Sequence, residues 1–514
     1  MKARTIVTGA LILTAAGVAT RVLGFVFRVY MSNLIGAEGM GLYQLIMPVY
    51  SLAWAITCAG FTTTVSKLTA QEKAKGEEGN VRQVLGICVT ITTLLGLITG
   101  GLVYLLADEI AQNFFRDERI TLSLRILSLA IPFMSAGSCL RGYFLGLQRP
   151  LVPSLNQVFE QCVRMAVVFF IAGMFVPLGL EYATAAATIG ILAEEAFSFV
   201  FVFVSYKLEL KGRMRKRPTM RLTAAYSSVL AMALPLTANR VTGSFLSAFE
   251  NALIPQRLQV YGMSSSEAIS LFGQMTGMAM PLIYFPTAFL VSLAVSLVPA
   301  VSEAHAVRNL RQIAYTADKS MLLAGIVGFG SAGLFVVFAE ELGQVIYNQD
   351  ISHMLISLGM MSPFIYMQVV LSGILNGLGF QMFIFANSLV SSVINIAFVY
   401  FLVPVWGMDA FILGWLVSLV VIFGFEIRRL QQSVELRFEF GQWFVKPLIS
   451  CVAAGLIVRY IAYNYIFGEA LGGVLGLVAA IAIFASLYVG FIFSTGCLSL
   501  NEVNVLRKAM RSQA

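Results

Sequence analysis

The sequence predicts an all-α polytopic membrane protein of about fourteen transmembrane helices: two parallel six-helix lobes around a central cavity, plus two C-terminal helices. Three observations predict it. Hydrophobic residues make up 58% of the 514-residue chain and charged residues 12%, about half the charged share of a soluble domain, and the mean hydropathy is +0.84. The apolar residues come in unbroken runs of roughly 20 or more, the length one helix needs to cross a hydrocarbon core. Lys and Arg fall almost wholly in alternate loops, which is the signature of cytoplasmic retention.

The first run, 6–34, starts behind Lys2 and Arg4 as a signal peptide would. It outlasts the roughly 7–15 residues of a signal h-region and holds Arg21 and Arg28, so it reads as a retained helix. Runs 41–66, 83–107, 120–147, 152–176 and 182–206 complete a first group of six. The segment after it carries seven Lys and Arg between 207 and 221 and reads as a solvated linker held at anionic headgroups. A second group follows at 224–254, 267–300, 314–338, 352–379, 382–405 and 409–427, then two more runs at 442–467 and 471–494. The implied organisation is an N-terminal lobe at 1–206, a basic cytoplasmic linker at 207–223, a C-terminal lobe at 224–427, and extra helices with a tail at 428–514. Continuous rather than alternating apolar character excludes an outer-membrane barrel.

With the N-terminus inside, 25 of the 34 Lys and Arg lie in inner segments, Arg141 and Arg149 among them, against 3 in outer loops and 6 within spans. Both termini are therefore expected in the cytoplasm of a multi-pass protein of the cytoplasmic membrane. The net charge of +8 is read as topology and not as nucleic-acid binding. Five of the six cysteines lie inside apolar runs, no CxxC occurs and only two histidines are present, which argues against a disulfide framework or a metal site. No phosphate-binding Walker sequence, GxSxG or HExxH is present. The chain is expected to be no enzyme, to need no cofactor, and to draw on an ion gradient, the membrane potential or its cargo's own gradient.

The two groups of six are copies. At an offset of 231, Pro132, Phe133, Leu140, Gly142, Gly146, Leu147 and Asn156 match Pro363, Phe364, Leu371, Gly373, Gly377, Leu378 and Asn387, and Met47-Pro48 matches Met280-Pro281 at 233. Six intervening spans give the copies one orientation, a transporter architecture. The repeated GxxxG suits close helix approach. Pro48, Pro132, Pro281, Pro286 and Pro363 are expected to kink or break their helices.

Ionisable residues inside spans carry the chemistry, since each costs roughly 2.5–3.5 kcal/mol at the bilayer centre unless it meets a cavity or a partner. Arg21 and Arg28, seven apart, share a helix face about 10 Å apart and suit chelation of phosphate oxygens. Arg240 follows Asn239 in span seven at a similar depth. Glu160 and Arg164 stand i,i+4, either neutralising each other or contacting cargo. Glu194 and Glu195 are adjacent and diverge by about 100°, so one suits a cation and the other a structural partner. Glu250 is a third candidate for ion coupling. Tyr30, Tyr43, Tyr50 and Tyr284 read as interface or packing residues.

The blocks Arg21-Val-Leu-Gly-Phe, Asn33 through Gln44, Phe272 through Ala279 and Leu297-Val-Pro-Ala-Val-Ser-Glu303 resemble the stage V sporulation protein B family. That family belongs to the polysaccharide-transporter branch of the multidrug/oligosaccharidyl-lipid/polysaccharide flippase (MOP) superfamily. The resemblance spans nearly the whole chain. It implies a fourteen-helix, two-lobed alternating-access fold and outward translocation of an undecaprenyl-linked precursor for spore cortex peptidoglycan. Arg21 matches the arginine that precedes Val-Leu-Gly-Phe in the related lipid II flippases. The charges which that branch carries near Leu42 or Tyr43, Leu52 or Ala53, and Met280 are absent here.

The combined expectation is a flippase for an undecaprenyl-pyrophosphate-linked glycan, lipid II-like. Its headgroup would be held by Arg21, Arg28, Arg240, Asn239, Arg164 and Glu160, with its tail among membrane lipids. Sporulation cell-wall synthases are the expected protein partners. Two other readings stay open at this point: a cation-coupled multidrug exporter on the same fold, and a non-transporting membrane scaffold for cell-wall synthases.

Overall fold

The computed structural model describes residues 2–211, 217–434, 439–462 and 473–498, with side chains from residue 15 onward. Arg213, Arg215 and Lys216 of the basic segment, Arg437, and Arg507, Lys508 and Arg511 lie outside the described residues, as do Lys2 and Arg4 beyond their backbone. Every long apolar run is helical over most of its described residues. In lipid only a helix or a closed barrel satisfies its own backbone polar groups, so the composition dictates the secondary structure.

In chain order the helices are α1 (Lys2–Trp54), α2 (Gly60–Ala74), α3 (Glu78–Leu105), α4 (Ala107–Glu109), α5 (Thr121–Gly146), α6 (Leu151–Phe175), α7 (Leu180–Leu210), α8 (Leu222–Tyr261), α9 (Ser265–Gly273) and α10 (Met280–Tyr284). They continue with α11 (Thr287–Ala306), α12 (Leu310–Val337), α13 (Ala339–Leu342), α14 (Ser352–Gly377), α15 (Gln381–Phe401), α16 (Val403–Trp406), α17 (Met408–Ser433), α18 (Lys446–Ile461) and α19 (Val474–Ser494). Among the described residues twelve helical stretches are long and apolar enough to cross a membrane. The protein is an all-α, multi-pass membrane protein.

The structure redraws several sequence boundaries. The first two expected spans run together in one stretch, Ala15–Ala74. No loop separates them; a single residue, Gly36, leaves helical geometry at φ 70°, ψ −173°. That region is essentially closed to any residue with a Cβ. Gly36→Ala is therefore expected to cost about 1–3 kcal/mol, read as a lowered thermal midpoint of the purified protein. Pro48, Pro132 and Pro363 sit inside continuous helices. The run 267–300, expected as one span, is divided into α9, a wide π-type turn at Gln274–Ala279, α10 and α11. Pro281 opens α10, where its missing N–H is tolerated. Pro286 separates α10 from α11.

The chain packs as two compact units, residues 1–277 with 399–407, and residues 278–398 with 408–514. The first unit takes in α8 and α9: Gly60 of α2 lies against Ala233 and Thr237 of α8, and Gly41 of α1 against Ile269 of α9. Its core gathers Phe61, Val65, Leu85, Leu140, Tyr143, Val202 and Val229.

The sequence repeat reappears inside each unit as local packing. In the first, Cβ atoms on Gly142 and Gly146 of α5 would lie 2.6 and 2.5 Å from the carbonyl oxygens of Thr62 and Ser66 on α2. In the second, those on Gly373 and Gly377 of α14 would lie 2.7 and 2.9 Å from the carbonyl oxygens of Ala294 and Val298 on α11. Both GxxxG copies thus bring helices to backbone contact. Left-handed residues recur in the same way, at 76 and 308, 116 and 348, and 148 and 379. α6 and α15 match too: only 17% of each apolar window is buried, which marks both as lipid-facing.

Candidate functional site

The first unit collects most of the intramembrane charge. α5, α6 and α7 pack on one another, and α1 lies against α6 and α7. Arg164 of α6 holds Glu194 of α7 with both sides of its guanidinium: Nε donates to Oε2 at 2.6 Å and Nη2 donates to Oε1. Its Cζ also stands 6.0 Å from the centre of the Phe27 ring on α1. Arg141 of α5 donates from Nη1 to Glu160 Oε1 at 2.7 Å and to Ser198 Oγ at 2.8 Å. Asn156 of α6 donates from Nδ2 to the same two oxygens at 2.7 and 2.9 Å. Tyr50 of α1 donates its hydroxyl to Glu195 Oε1.

Two arginines and three glutamates make this network. A lone guanidinium in a low-dielectric interior pays several kcal/mol of desolvation, which a bidentate carboxylate offsets. Glu194 is so matched by Arg164, while Glu160 takes a single contact from Arg141 Nη1. Glu195 is the surplus carboxylate: it is buried, a phenol is its hydrogen-bond partner, and its Oε2 has none among the described residues.

The other arginines expected at the site behave differently. Arg21 on α1 and Arg240 on α8 are exposed, and neither has an ion-pair partner among the described residues. Arg28 is exposed as well, Asn239 is half-buried beside Arg240, and Glu250 is half-buried farther along α8.

The expected i,i+4 pairing of Glu160 with Arg164 is not the arrangement found. Each residue reaches to another helix, Glu160 to α5 and Arg164 to α7. Charges on a packed helix face meet the neighbouring helix more directly than each other. The divergence of Glu194 and Glu195 sends the first to α6 and the second to α1. Arg141, counted from the sequence among the cytoplasmic cations although the expected run 120–147 covers it, lies within α5, which ends at Gly146. The signal that could have found it is the short connection at 147–150: the two helices flanking such a turn are antiparallel neighbours, so Arg141 and Glu160 face each other near one end of the pair. Tyr50, expected to be a packing residue, is a ligand of Glu195.

A separate apolar cavity of about 480 Å³ in the same unit is lined by Val49, Leu52, Ile56, Leu102, Val103 and Phe245, among others. Its walls suit hydrocarbon, not a charged group.

A family model described as polysaccharide biosynthesis protein matches residues 6–305. The stage V sporulation protein B of Bacillus subtilis (strain 168) is 32% identical over 408 residues, covering 78% of each chain. Among solved structures, the lipid II flippase MurJ in an inward closed conformation superposes with a TM-score of 0.70 at 14% identity, over 94% of this chain and 98% of that one. An inward-facing multidrug resistance MATE family transporter of the MOP superfamily gives 0.63 at 16% identity, over 82% and 98%.

Proposed function

The chain belongs to the polysaccharide biosynthesis protein family, within the MOP superfamily of transporters and flippases, and from that premise we propose that it moves an undecaprenyl-linked peptidoglycan or polysaccharide precursor outward across the cytoplasmic membrane by alternating access. The proposed setting is spore cortex synthesis, in keeping with a Bacillus relative that is named for sporulation. The fourteen-span, two-lobed organisation, with both termini cytoplasmic, is part of this reading.

The observation that carries it is the contrast between two sets of arginines. Arg141 and Arg164 are neutralised by glutamates. Arg21 and Arg240 keep their guanidinium forks unpaired among the described residues, although each lies on a helix in the same unit. An unpaired arginine there needs water or an anion, and a planar fork matches pyrophosphate oxygens. Arg28 and Asn239 would assist. Arg164 and Glu160, engaged in ion pairs, serve the lobe's integrity in this reading, which keeps Glu195 and Glu250 for cation coupling in the first unit and drops Glu194.

The test is translocation of a fluorescent undecaprenyl-pyrophosphate-linked muropeptide in reconstituted vesicles. A charge-assisted hydrogen bond contributes about 1.5–3 kcal/mol, so Arg21→Ala and Arg240→Ala are each expected to slow transport about tenfold or more at matched incorporation. Transport of organic cations with no movement of the lipid would replace this reading with the multidrug exporter. Transport of neither by correctly folded protein would leave the scaffold.

A further inference from the structure

At the end of α8 away from the basic segment, Arg257 is seated on an aromatic ring with no anion beside it. It lies four residues before Tyr261, the last residue of the helix. The end of α15 and the short α16 pack into the same unit, as residues 399–407. The guanidinium carbon of Arg257 stands 3.7 Å from the centre of the Tyr400 ring. Its Nε is buried without a hydrogen-bond partner, and no hydrogen bond or ion pair engages the two Nη groups among the described residues. The helix around it is fastened. Gln256 Nε2 donates to the carbonyl of Phe114 at 2.6 Å. One turn on, the Tyr261 ring lies against Gly407, whose added Cβ would be 3.2 Å from it.

The carboxylates that neighbouring elements bring to this end of α8 are engaged elsewhere. α9 packs on α8, and its Glu267 accepts from Ser264. Glu38 of α1 takes Arg119 at 2.7 Å. Asp108 takes Arg125 at 2.8 Å, and Glu109 accepts from Asn113. α16 and the turn Ile110–Phe115 carry no charged residue. Glu250, on α8 itself, stands seven residues back, about 10 Å along the axis. The depth of the seat follows from α15. That helix has 21 residues, a length of about 31 Å, which matches the thickness of a hydrocarbon core, and it faces lipid. Tyr400, its penultimate residue, therefore stands where hydrocarbon gives way to headgroups. Tyr261, Phe401 and Trp406 are exposed beside it, the kind of aromatic residues that collect at that level.

A guanidinium donates two parallel hydrogen bonds to a phosphate. A ring against its face fixes its orientation and shields that side from water, which strengthens the contact made by its edge. We propose that Arg257, seated on Tyr400, is a binding site for the phosphate of a lipid headgroup, on the outer surface of the membrane in the topology proposed above. Two lipids present that chemistry there: a resident phospholipid of the outer leaflet, and the polyprenyl-pyrophosphate end of a cargo that has crossed. The second source rests on the transport reading; the site itself does not.

The experiment is photo-crosslinking of the full-length protein in dodecyl maltoside micelles, which contain no phosphate. The probe is phosphatidylglycerol carrying a diazirine next to its headgroup, and labelled peptides are mapped by mass spectrometry. The expected result is saturable labelling around Arg257 and Tyr400–Trp406. Loss of a charge-assisted hydrogen bond predicts an apparent affinity about tenfold or more weaker in Arg257→Gln, partly recovered in Arg257→Lys, and weakened in Tyr400→Leu. Diglucosyl diacylglycerol, which has similar chains and no phosphate, is expected not to compete. Competition by undecaprenyl pyrophosphate would make the cargo end a ligand of the seat, and its failure to compete would assign the seat to phospholipid; either supports the phosphate site. Equal labelling of wild type and folded Arg257→Gln would overturn the proposal. So would equal competition by the glycolipid, an arm that uses wild type alone and does not depend on a variant folding. None of these readings measures transport, so failure here and failure of the lipid-transport reading are separable.

Discussion

Arg164→Met is expected to destabilise the protein by about 3–5 kcal/mol, the usual cost of stranding one member of a buried ion pair. The reason is Glu194. It is 4% exposed, both its oxygens are held by the Arg164 guanidinium, and removal of that group leaves a charge with neither water nor a donor. Arg164→Lys is expected to recover only part of the loss, because an ammonium cannot reproduce the two-pronged contact. The double variant Arg164→Met, Glu194→Leu is expected to be far closer to wild type than Arg164→Met alone, since apolar replacement of a whole buried pair is often neutral. Thermal or denaturant unfolding of wild type, Arg164→Met, Glu194→Leu and the double variant in detergent gives the coupling energy, and about 2 kcal/mol or more is expected for residues in such contact. Equal destabilisation in the single and double variants would mean that the pair is not what holds α6 to α7.

The second large effect is expected at the crossing of α1 and α9. A Cβ on Gly41 would lie 2.1 Å from the carbonyl oxygen of Ile269, and one on Gly273 would lie 2.0 Å from that of Ala37. Gly41 and Gly273 are 232 residues apart, and so are Ala37 and Ile269, so the contact is reciprocal between the two copies of the repeat. Gln44 Nε2 donates to Thr276 O at 3.4 Å across the same interval. The obstructing atoms are backbone, which cannot rotate away as a side chain would. Gly41→Ala or Gly273→Ala must therefore separate the helices, and the expected loss is at the upper end of the roughly 1–3 kcal/mol seen for overpacking, or beyond it. Gly86→Ala on α3 is the matched control. Nothing lies within 4 Å of its added Cβ, so it is expected to be neutral or to gain up to about 1 kcal/mol of helix propensity. Folded yield and thermal midpoint check both. A Gly273→Ala protein as stable as Gly86→Ala would show that the crossing is not tight.

These two contacts differ in how far they could be read from the chain. Gly41 and Gly273 lie in two of the blocks that carry the family resemblance, yet nothing in either block says that they touch. The repeated GxxxG could be read as close packing because the motif and its recurrence are both local patterns, and the partner helices α2 and α11 supplied the backbone oxygens. The break between the first two spans was visible as a region, but its form, a single glycine inside one long helical stretch, was not. Hydropathy has no term for a dihedral angle.

The charged residues divide in the same way. That Arg21, Arg164, Glu194, Glu195 and Arg240 had to be exceptional followed from the sequence, because the cost of an ionisable group in an apolar run belongs to that residue alone. Which of them would be neutralised did not follow. Pairing depends on the register of helices far apart in sequence, and it was register that turned Glu160 to Arg141, Arg164 to Glu194 and Tyr50 to Glu195. Composition and local pattern were enough to dictate the membrane environment, the helical class, the repeat and the short roster of groups too costly to bury alone. Helix packing then settled which of those groups cancel and which stay available, because an electrostatic partner is a matter of distance, and a single chain position carries no distance.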